Sequence, residues 1–514
     1  MVNQASKLNL PRSHPSPSPE VVITSLLFEP FSQSLALMHS DSSILLFPSF
    51  SLFSPSPSPS PSPSPPPHTQ TLIPPISTSS CFLRLHSNPN SPDGRVLFVV
   101  AGPHNGGSKV LLRVWVLQKN QVFAKAQVNS SQNDLIRHGD SKLGLVVDLS
   151  HGVSVKLAGS VNFFALHSVS AKKIWVFGAK VVGDESVNLM KCAVIDCTLL
   201  ICSITVSLGF LILGEENGVR VFPLRPLVKG RVKKQRDSGR RRENNSEIGG
   251  LNSDVISKNR GMNLPNGVIR SVNGSNELYY SRMFSSKYVG NSHSGKGTTG
   301  LEGTTEISSN GYTGKTAVNR VSAKLKTVKL KQDSGLGGSF FVAFKGVEVQ
   351  SQKSNTVSLQ SLKAVSVQAV SHKRFLILDS VGDLHILSMY GTSPGSEITG
   401  QMRRLSHTMK VQMLAVLPDI STRMQTFWIS DGFHTVHMMS ISDVDSPVNE
   451  TDKNETEEKL MQISAIQAIF ASERIQELIP ISANAILVLG QGEVLLFSYN
   501  SLLVVQEIGF ATKS

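Results

Sequence analysis

The densest cluster of chemically capable side chains in this sequence is basic: Lys229, Arg231, Lys233, Lys234 and Arg236, followed closely by Arg240, Arg241 and Arg242. Cations crowded on a polar backbone can occupy an acidic receptor groove as a nuclear address, or can neutralise nucleic-acid phosphates; a solvated linker is the third reading. Between Lys229 and Gly335 there are 20 Lys and Arg against 8 Asp and Glu, and the rest of the chain carries 30 against 29. Nearly all of the formal net charge of +13 therefore belongs to one segment. Further along it, Tyr279, Tyr280, Phe284 and Tyr288 interleave with Arg282 and Lys287. Aromatics alternating with cations offer stacking faces to single-stranded bases; the plainer reading is a short partner-docking patch.

Other groups fail on spacing. Gly290, Gly295 and Lys296 have the first part of a phosphate-loop pattern, but Gly297 stands where the metal-binding hydroxyl belongs. Gly314-Lys315-Thr316 has the ending, with Ser309 in place of the first glycine. Neither follows an apolar strand or opens a helical run, which is what aims loop amides at a phosphate. Cys192, Cys197 and Cys202 are five apart, so on a strand the middle thiol faces away from the other two, and core thiols are expected rather than a metal site. His434 and His437 point to opposite faces of a strand for the same reason. No nucleophile elbow or Ser-His-Asp pattern is present, so no catalytic residue, cofactor or metal is expected and the chain reads as a non-enzyme.

The elements around these residues are strands. In 514 residues, 40% hydrophobic and 17% charged, apolar runs of four to eight residues recur and helical spacing is scarce. A hairpin repeats seven times: Leu35–Met38 with Ile44–Phe47, Val96–Ala101 with Leu112–Leu117, Val161–Leu166 with Lys173–Phe177, and Phe210–Leu213 with Gly218–Phe222; then Phe375–Leu378 with Gly382–Leu387, Phe427–Ile429 with Val436–Met439, and Ala485–Leu489 with Gly492–Phe497. A further apolar strand is expected before each, at Ile23–Phe28, Cys81–Leu85, Leu145–Leu149, Ala193–Leu200, Val365–Val370, Met413–Leu417 and Leu478–Ile481. One hairpin cannot bury its own apolar face, so similar units stack radially and the ring closes on itself, which predicts an all-β, seven-bladed β-propeller. The uncharged stretch Cys197–Gly214 reaches the lower length limit of a membrane span, yet its β-branched residues and its continuation into Glu215–Phe222 predict two blade strands and no membrane association.

The strand endings, Arg113-Val114-Trp115 and the Asp/Gly turns above all, resemble those of WD-repeat propellers, although no Trp-Asp dipeptide closes a strand and no Gly-His pair opens a blade. The resemblance implies a platform for other proteins, which would bind through the propeller faces. The expected organisation is a flexible N-terminus over 1–20, blades one to four over 21–228 with a stiff Ser-Pro loop at 54–67, a disordered basic insert at 229–335 and the remaining blades over 336–514. Phe340–Phe344 is the candidate strand on which the insert returns. Four cysteines in a chain of this length do not form a disulfide framework, and a reducing compartment follows. The first twenty residues lack the apolar block of a secretory signal. Asn449 and Asn454 are accordingly read as parts of an acidic loop rather than glycosylation sites. The expected function is a protein-interaction scaffold in a nuclear complex, served by an import receptor; the alternative is a factor whose insert contacts RNA or DNA. Cytoplasm is the alternative location, and a plastid the weaker one.

Overall fold

In the computed structural model the described residues are 5–7, 21–50, 71–74, 76–86, 94–130, 144–149, 152–183, 185–228, 326–329, 338–344, 361–391, 397–406, 409–417, 425–443, 461–491 and 494–498. They form seven sheets, each of four antiparallel strands at its heart, followed in sequence from the inside of a ring outwards. The innermost strands are Ile23–Glu29, Ser79–Leu85, Val155–Gly159, Ser203–Ser207, Ala364–Ser371, Met413–Val416 and Glu477–Ser482. Each touches the innermost strand of the next, and the seventh touches the first, so the ring is closed. The protein is a seven-bladed β-propeller.

The packing explains why this ring forms. There are seven apolar layers, one between each pair of neighbouring blades. In the first blade Leu35 and Leu37 face the seventh, where they meet Leu487 and Leu489, whereas Ala36, Ile44 and Leu46 face the second, where they meet Phe98 and Val100. Alternate side chains of one strand thus serve two different neighbours. The middle strands are accordingly buried on both faces, Phe210–Glu215 along its whole length. The Glu477 carboxylate crosses the seam between the last blade and the first, accepting the Leu26 N–H at 2.7 Å and the Ser25 hydroxyl at 3.2 Å.

All seven expected hairpins are present, and Phe340–Ala343 is the outer strand of the fourth blade, paired with Gly218–Val221. Two expected first strands are displaced. Leu145–Val147 is an outer strand of the second blade, paired with Val110–Leu112, and the third blade opens instead with Val155–Gly159. Ser186–Asp196 is the outer strand of the third blade, and the fourth opens with Ser203–Ser207. The true openers carry Lys156 at an exposed position and Gly159, Ser203 and Thr205 at half-exposed ones, so they lack the apolar run that distinguishes a strand in sequence. The stretch Cys197–Gly214 supplies Ser203–Ser207 and most of Phe210–Glu215, and no helix among the described residues is long and apolar enough to cross a membrane.

Two strands arise where the sequence offered no signal. Ala5–Lys7 pairs with Leu495–Phe497 as the outer strand of the last blade, so the N-terminus closes the sheet begun at the C-terminal end of the chain. Lys326–Lys329 lies parallel to Ala193–Asp196 on the rim of the third blade, and Val328 is buried in the layer that also holds Leu224 and Leu227 of the short helix Leu224–Val228. The basic segment thus leaves the fourth blade beside the helix and returns through a strand that belongs to the core. Replacing 230–319 by a short Gly/Ser linker is expected to leave the melting temperature unchanged or slightly raised, because closing a long loop costs only logarithmically in its length. Replacing 229–335 also removes Val328 from its layer and is expected to cost roughly 1–3 kcal/mol more. Thermal melts of the two variants make the comparison; equal stabilities would mean the Lys326–Lys329 strand contributes nothing.

Candidate docking face

Because each blade steps inside to outside in antiparallel strands, the turns between second and third strands share one face of the ring with the connections that join each blade to the next. The turns between first and second strands and the connections from third to fourth lie on the other. In the sequence, the Ser54–Pro67 stretch, the basic segment and the acidic stretch 444–460 each fall between the third and fourth strands of a blade.

On the first face, short-range polar contacts hold the turns. In the fifth blade Asp379 Oδ1 accepts the N–H groups of Val381 at 3.0 Å and Asp383 at 2.9 Å, and its Oδ2 lies 2.9 Å from His385 Nε2. Burial works against the Asp379 charge, but the His385 contact and the two N–H groups outweigh it and hold the carboxyl below its ordinary range. Gly382 turns the chain at φ +86°, and a side chain there would meet the carbonyl of Val411. The Phe344 ring, from the preceding blade, covers His385 at 4.3 Å between centroids. Asp383 is bridged by Lys410 and Arg404. In the sixth blade the Ser430 hydroxyl accepts the Gly432 N–H and Asp431 the Phe433 N–H. In the first, Asp41 accepts the Ser43 N–H at 2.8 Å. In the fourth, Arg220 donates twice to Glu215, Nε to Oε1 at 2.7 Å and Nη2 to Oε2 at 3.1 Å, with both side chains out of solvent. These contacts tie the turns of the first, fourth, fifth and sixth blades to their own strands.

What they present is apolar. Among the described residues, ten of the sixteen exposed large hydrophobic side chains fall on this face: Val21, Val22, Ile76, Val153, Val169, Leu200, Val365, Val381, Phe433 and Phe470. Only Phe31, Val182 and Tyr390 belong to the opposite face, and the rest sit on outer strands. Phe470 is 74% exposed and Phe433 53% exposed. The two are brought together because Thr435 pairs with Phe470 across the sheet, the Ala471 N–H donates to the His434 carbonyl, and Arg474 lies over the Phe433 ring at 5.6 Å. Aromatics with an adjoining arginine are the side chains that contribute most at protein interfaces. These residues escape a reading of the sequence, since a single Phe beside a strand has the signature of a core residue; the one available signal is the Asp431-Gly432 turn immediately before Phe433.

The face also carries buried histidines. Burial, reinforced by repulsion from Lys156, pushes His167 down to about 4, and burial lowers His39 as well. The unfolded chain takes up these protons near pH 6.5 while the folded ring does not, so stability must fall as the pH drops from 6.5 towards 4. His167→Gln is expected to remove roughly 2–3 kcal/mol of that loss. Urea midpoints at pH 7 and pH 4.5 measure it, and the comparison with the variant isolates His167 from Glu477, whose raised pKa acts in the opposite sense. An unaltered pH slope in the variant would show that His167 takes up its proton without unfolding.

The residues singled out from sequence are not brought together here. Lys229, Arg231, Lys233, Lys234, Arg236, Arg240, Arg241 and Arg242 lie outside the described residues, as do Tyr279, Tyr280, Phe284 and Tyr288. The two phosphate-loop lookalikes, Ser54–Pro67, Asn449 and Asn454 lie outside them too. The four cysteines carry free thiols, pushed up by burial to about 12 at Cys81 and Cys197 and about 11 at Cys192, which makes them poor nucleophiles. His434 is exposed and His437 half-buried, and the described residues contain no group of three His, Cys, Asp or Glu that could hold a metal ion.

No family model matches this sequence, and no curated protein matches it. Solved structures that align with it include U3-55K, at 7% identity and a TM-score of 0.37 over 95% of this chain and 97% of that one. The WD40 repeats of RRP9 align at 7% identity and 0.38, over 95% and 96%. The propeller domain of Myceliophteria thermophila Cps50 (Swd1) aligns at 8% identity and 0.42, over 97% and 100%. Likenesses this loose carry no argument about function, and the architecture rests on the closed ring and its seven apolar layers.

Proposed function

We propose that this chain is a non-catalytic protein-interaction scaffold that works in a nuclear complex. Partners dock on the face of the second-to-third turns, and the basic segment supplies the nuclear address. The observation that carries the reading is the segregation of exposed apolar side chains onto one face, with the aromatic pair Phe433 and Phe470 beside Arg474 among them. The second reading, a nucleic-acid factor, is favoured by the concentration of charge between Lys229 and Gly335. Phosphate contacts weaken steeply with salt, whereas apolar docking does not.

One experiment separates them. The tagged full chain, its Phe433→Asp/Phe470→Asp variant and a variant with Lys233, Lys234, Arg240, Arg241 and Arg242 changed to Ala are expressed as fluorescent fusions and purified with and without nuclease. The arm variant should redistribute to the cytoplasm, and the face variant should stay nuclear but lose its co-purifying proteins by more than tenfold. Unchanged nuclear enrichment of the arm variant overturns the address. Partners that vanish with nuclease and survive the face variant overturn the scaffold in favour of nucleic acid.

A further inference from the structure

A second feature of the docking face lies between the third and fourth blades, where the connection from Asp196 to Ser203 passes beside the turn that follows His167. Val169, Lys172, Cys197, Leu199, Leu200 and Ile201 surround a depression of about 140 Å³ there. A cavity of roughly 150 Å³ lined by apolar side chains holds a benzene-sized group. Leu200 is 53% exposed and Val169 40% exposed at its lip, so apolar surface faces water on both sides of the opening. The buried Cys197 thiol and the wall at Ile201 contribute no charge.

The charges around the opening have one dominant sign. Lys172 borders it, Lys173 follows directly, Lys156 is near enough to depress the pKa of His167, and Lys156 and Lys363 both act on Cys202 at the end of the connection. The opposing acids are Asp196, which lies 3.7 Å from Lys173, and Glu216. Glu215 and Arg220, which also act on Cys197, pair with each other, and apart from them four cations stand against two anions.

From this pairing of an apolar depression with a field of lysines we propose that the sector binds an acidic segment of a partner protein. A single large aliphatic or aromatic side chain of that segment enters between Val169 and Leu200, and flanking Asp or Glu residues meet Lys156 and Lys172. The proposal rests on the docking-face reading and adds a place and a ligand chemistry to it. A nucleic-acid strand would satisfy the lysines but leave Leu200 and Val169 in water, so the apolar lip favours the peptide.

The test uses the intact chain and two fluorescein-labelled probes of equal charge, an octapeptide Glu-Asp-Glu-Leu-Phe-Glu-Asp-Glu and an oligothymidine. The peptide is expected to bind, and Leu200→Glu should weaken it at least tenfold. Lys156→Glu/Lys172→Glu should weaken it at least fivefold, and replacing Leu-Phe in the peptide by Gly-Gly should have an effect like that of Leu200→Glu. These positions are exposed, and superimposable circular dichroism and melting curves confirm that the variants fold. Peptide binding that is absent, or indifferent to Leu200→Glu because the basic segment captures any anion, overturns the proposal. An oligothymidine bound more tightly than the peptide, with equal sensitivity to the Lys156/Lys172 changes, assigns the sector to nucleic acid and overturns it too. Loss with Phe470→Asp but not with Leu200→Glu moves the peptide to the sixth blade, which sinks this site while leaving the docking face standing.

Discussion

Arg220→Met, made alone, is expected to lower the stability of the ring by roughly 3–5 kcal/mol, because it strands the Glu215 carboxylate in a place without water. The Glu215 side chain is wholly buried and takes both hydrogen bonds of a bidentate pair from Arg220, whose guanidinium also lies 5.3 Å from the Phe341 ring of the outer strand. The pair joins the end of the second strand of the fourth blade to the start of its third, across the turn that the chain must make on the docking face. Glu215→Ala, which instead leaves the guanidinium unpaired, should cost a similar amount. The double variant Glu215→Leu/Arg220→Met is expected to recover most of the loss, since it removes both charges and keeps apolar volume in the layer. Urea denaturation of the wild type, both single variants and the double completes the cycle. A single variant within about 1 kcal/mol of wild type would show that water reaches the pair and that the turn does not depend on it.

The same blade shows how much of this architecture is legible in sequence. Phe210–Glu215 and Gly218–Pro223 lie in the middle of their sheet and are buried on both faces, so they are written almost wholly in apolar residues and are found without any structure. The strand inside them, Ser203–Ser207, has only Val206 buried, and its Ser203 and Thr205 hydroxyls donate to the carbonyls of Ala364 and Val367 in the next blade. Side chains near the axis are chosen for contacts between blades, and their polarity conceals the strand. At the rim, Thr399–Arg404 has only Met402 buried, and Lys326–Lys329 and Ala5–Lys7 consist largely of polar residues. Middle strands therefore fix the number of blades, and inner and outer ones are assigned only by counting from them. That count fails where an outer strand is as apolar as Ser186–Asp196, which reads as the start of a blade although it ends one. The proposed docking face is hidden for a related reason. Val169, Leu200 and Phe470 differ from core residues in position alone, and position at a turn tip is a property of the closed ring.

Phe210→Asp should then be the most damaging single substitution predicted for this protein, and it is expected to leave no cooperatively folded state at 25 °C. Phe210 opens the second strand of the fourth blade and meets Phe375 of the fifth edge to face, with ring centroids 6.0 Å apart at 89°. Ile212, Val219, Val221, Phe375 and Leu387 complete the layer between these two blades. An aspartate there loses the burial of a phenylalanine, about 3–5 kcal/mol by truncation alone, and adds a carboxylate among hydrophobic side chains. The sum approaches the whole stability of an ordinary domain, about 5–15 kcal/mol. Because every blade is held by both neighbours, opening the interface between the fourth and fifth blades also releases the closure that Glu477 makes between the seventh and the first. Two companions separate burial from mere alteration. Phe210→Leu should fold with a loss of roughly 1–2 kcal/mol, the edge-to-face contact and a little volume. Ile204→Asp lies on the half-buried inner strand and should be milder than Phe210→Asp, its carboxylate having water within reach. Circular dichroism melts and size-exclusion profiles of the three variants give the ranking. A Phe210→Asp protein that melts cooperatively within a few degrees of wild type would mean that the fourth and fifth blades do not share a core.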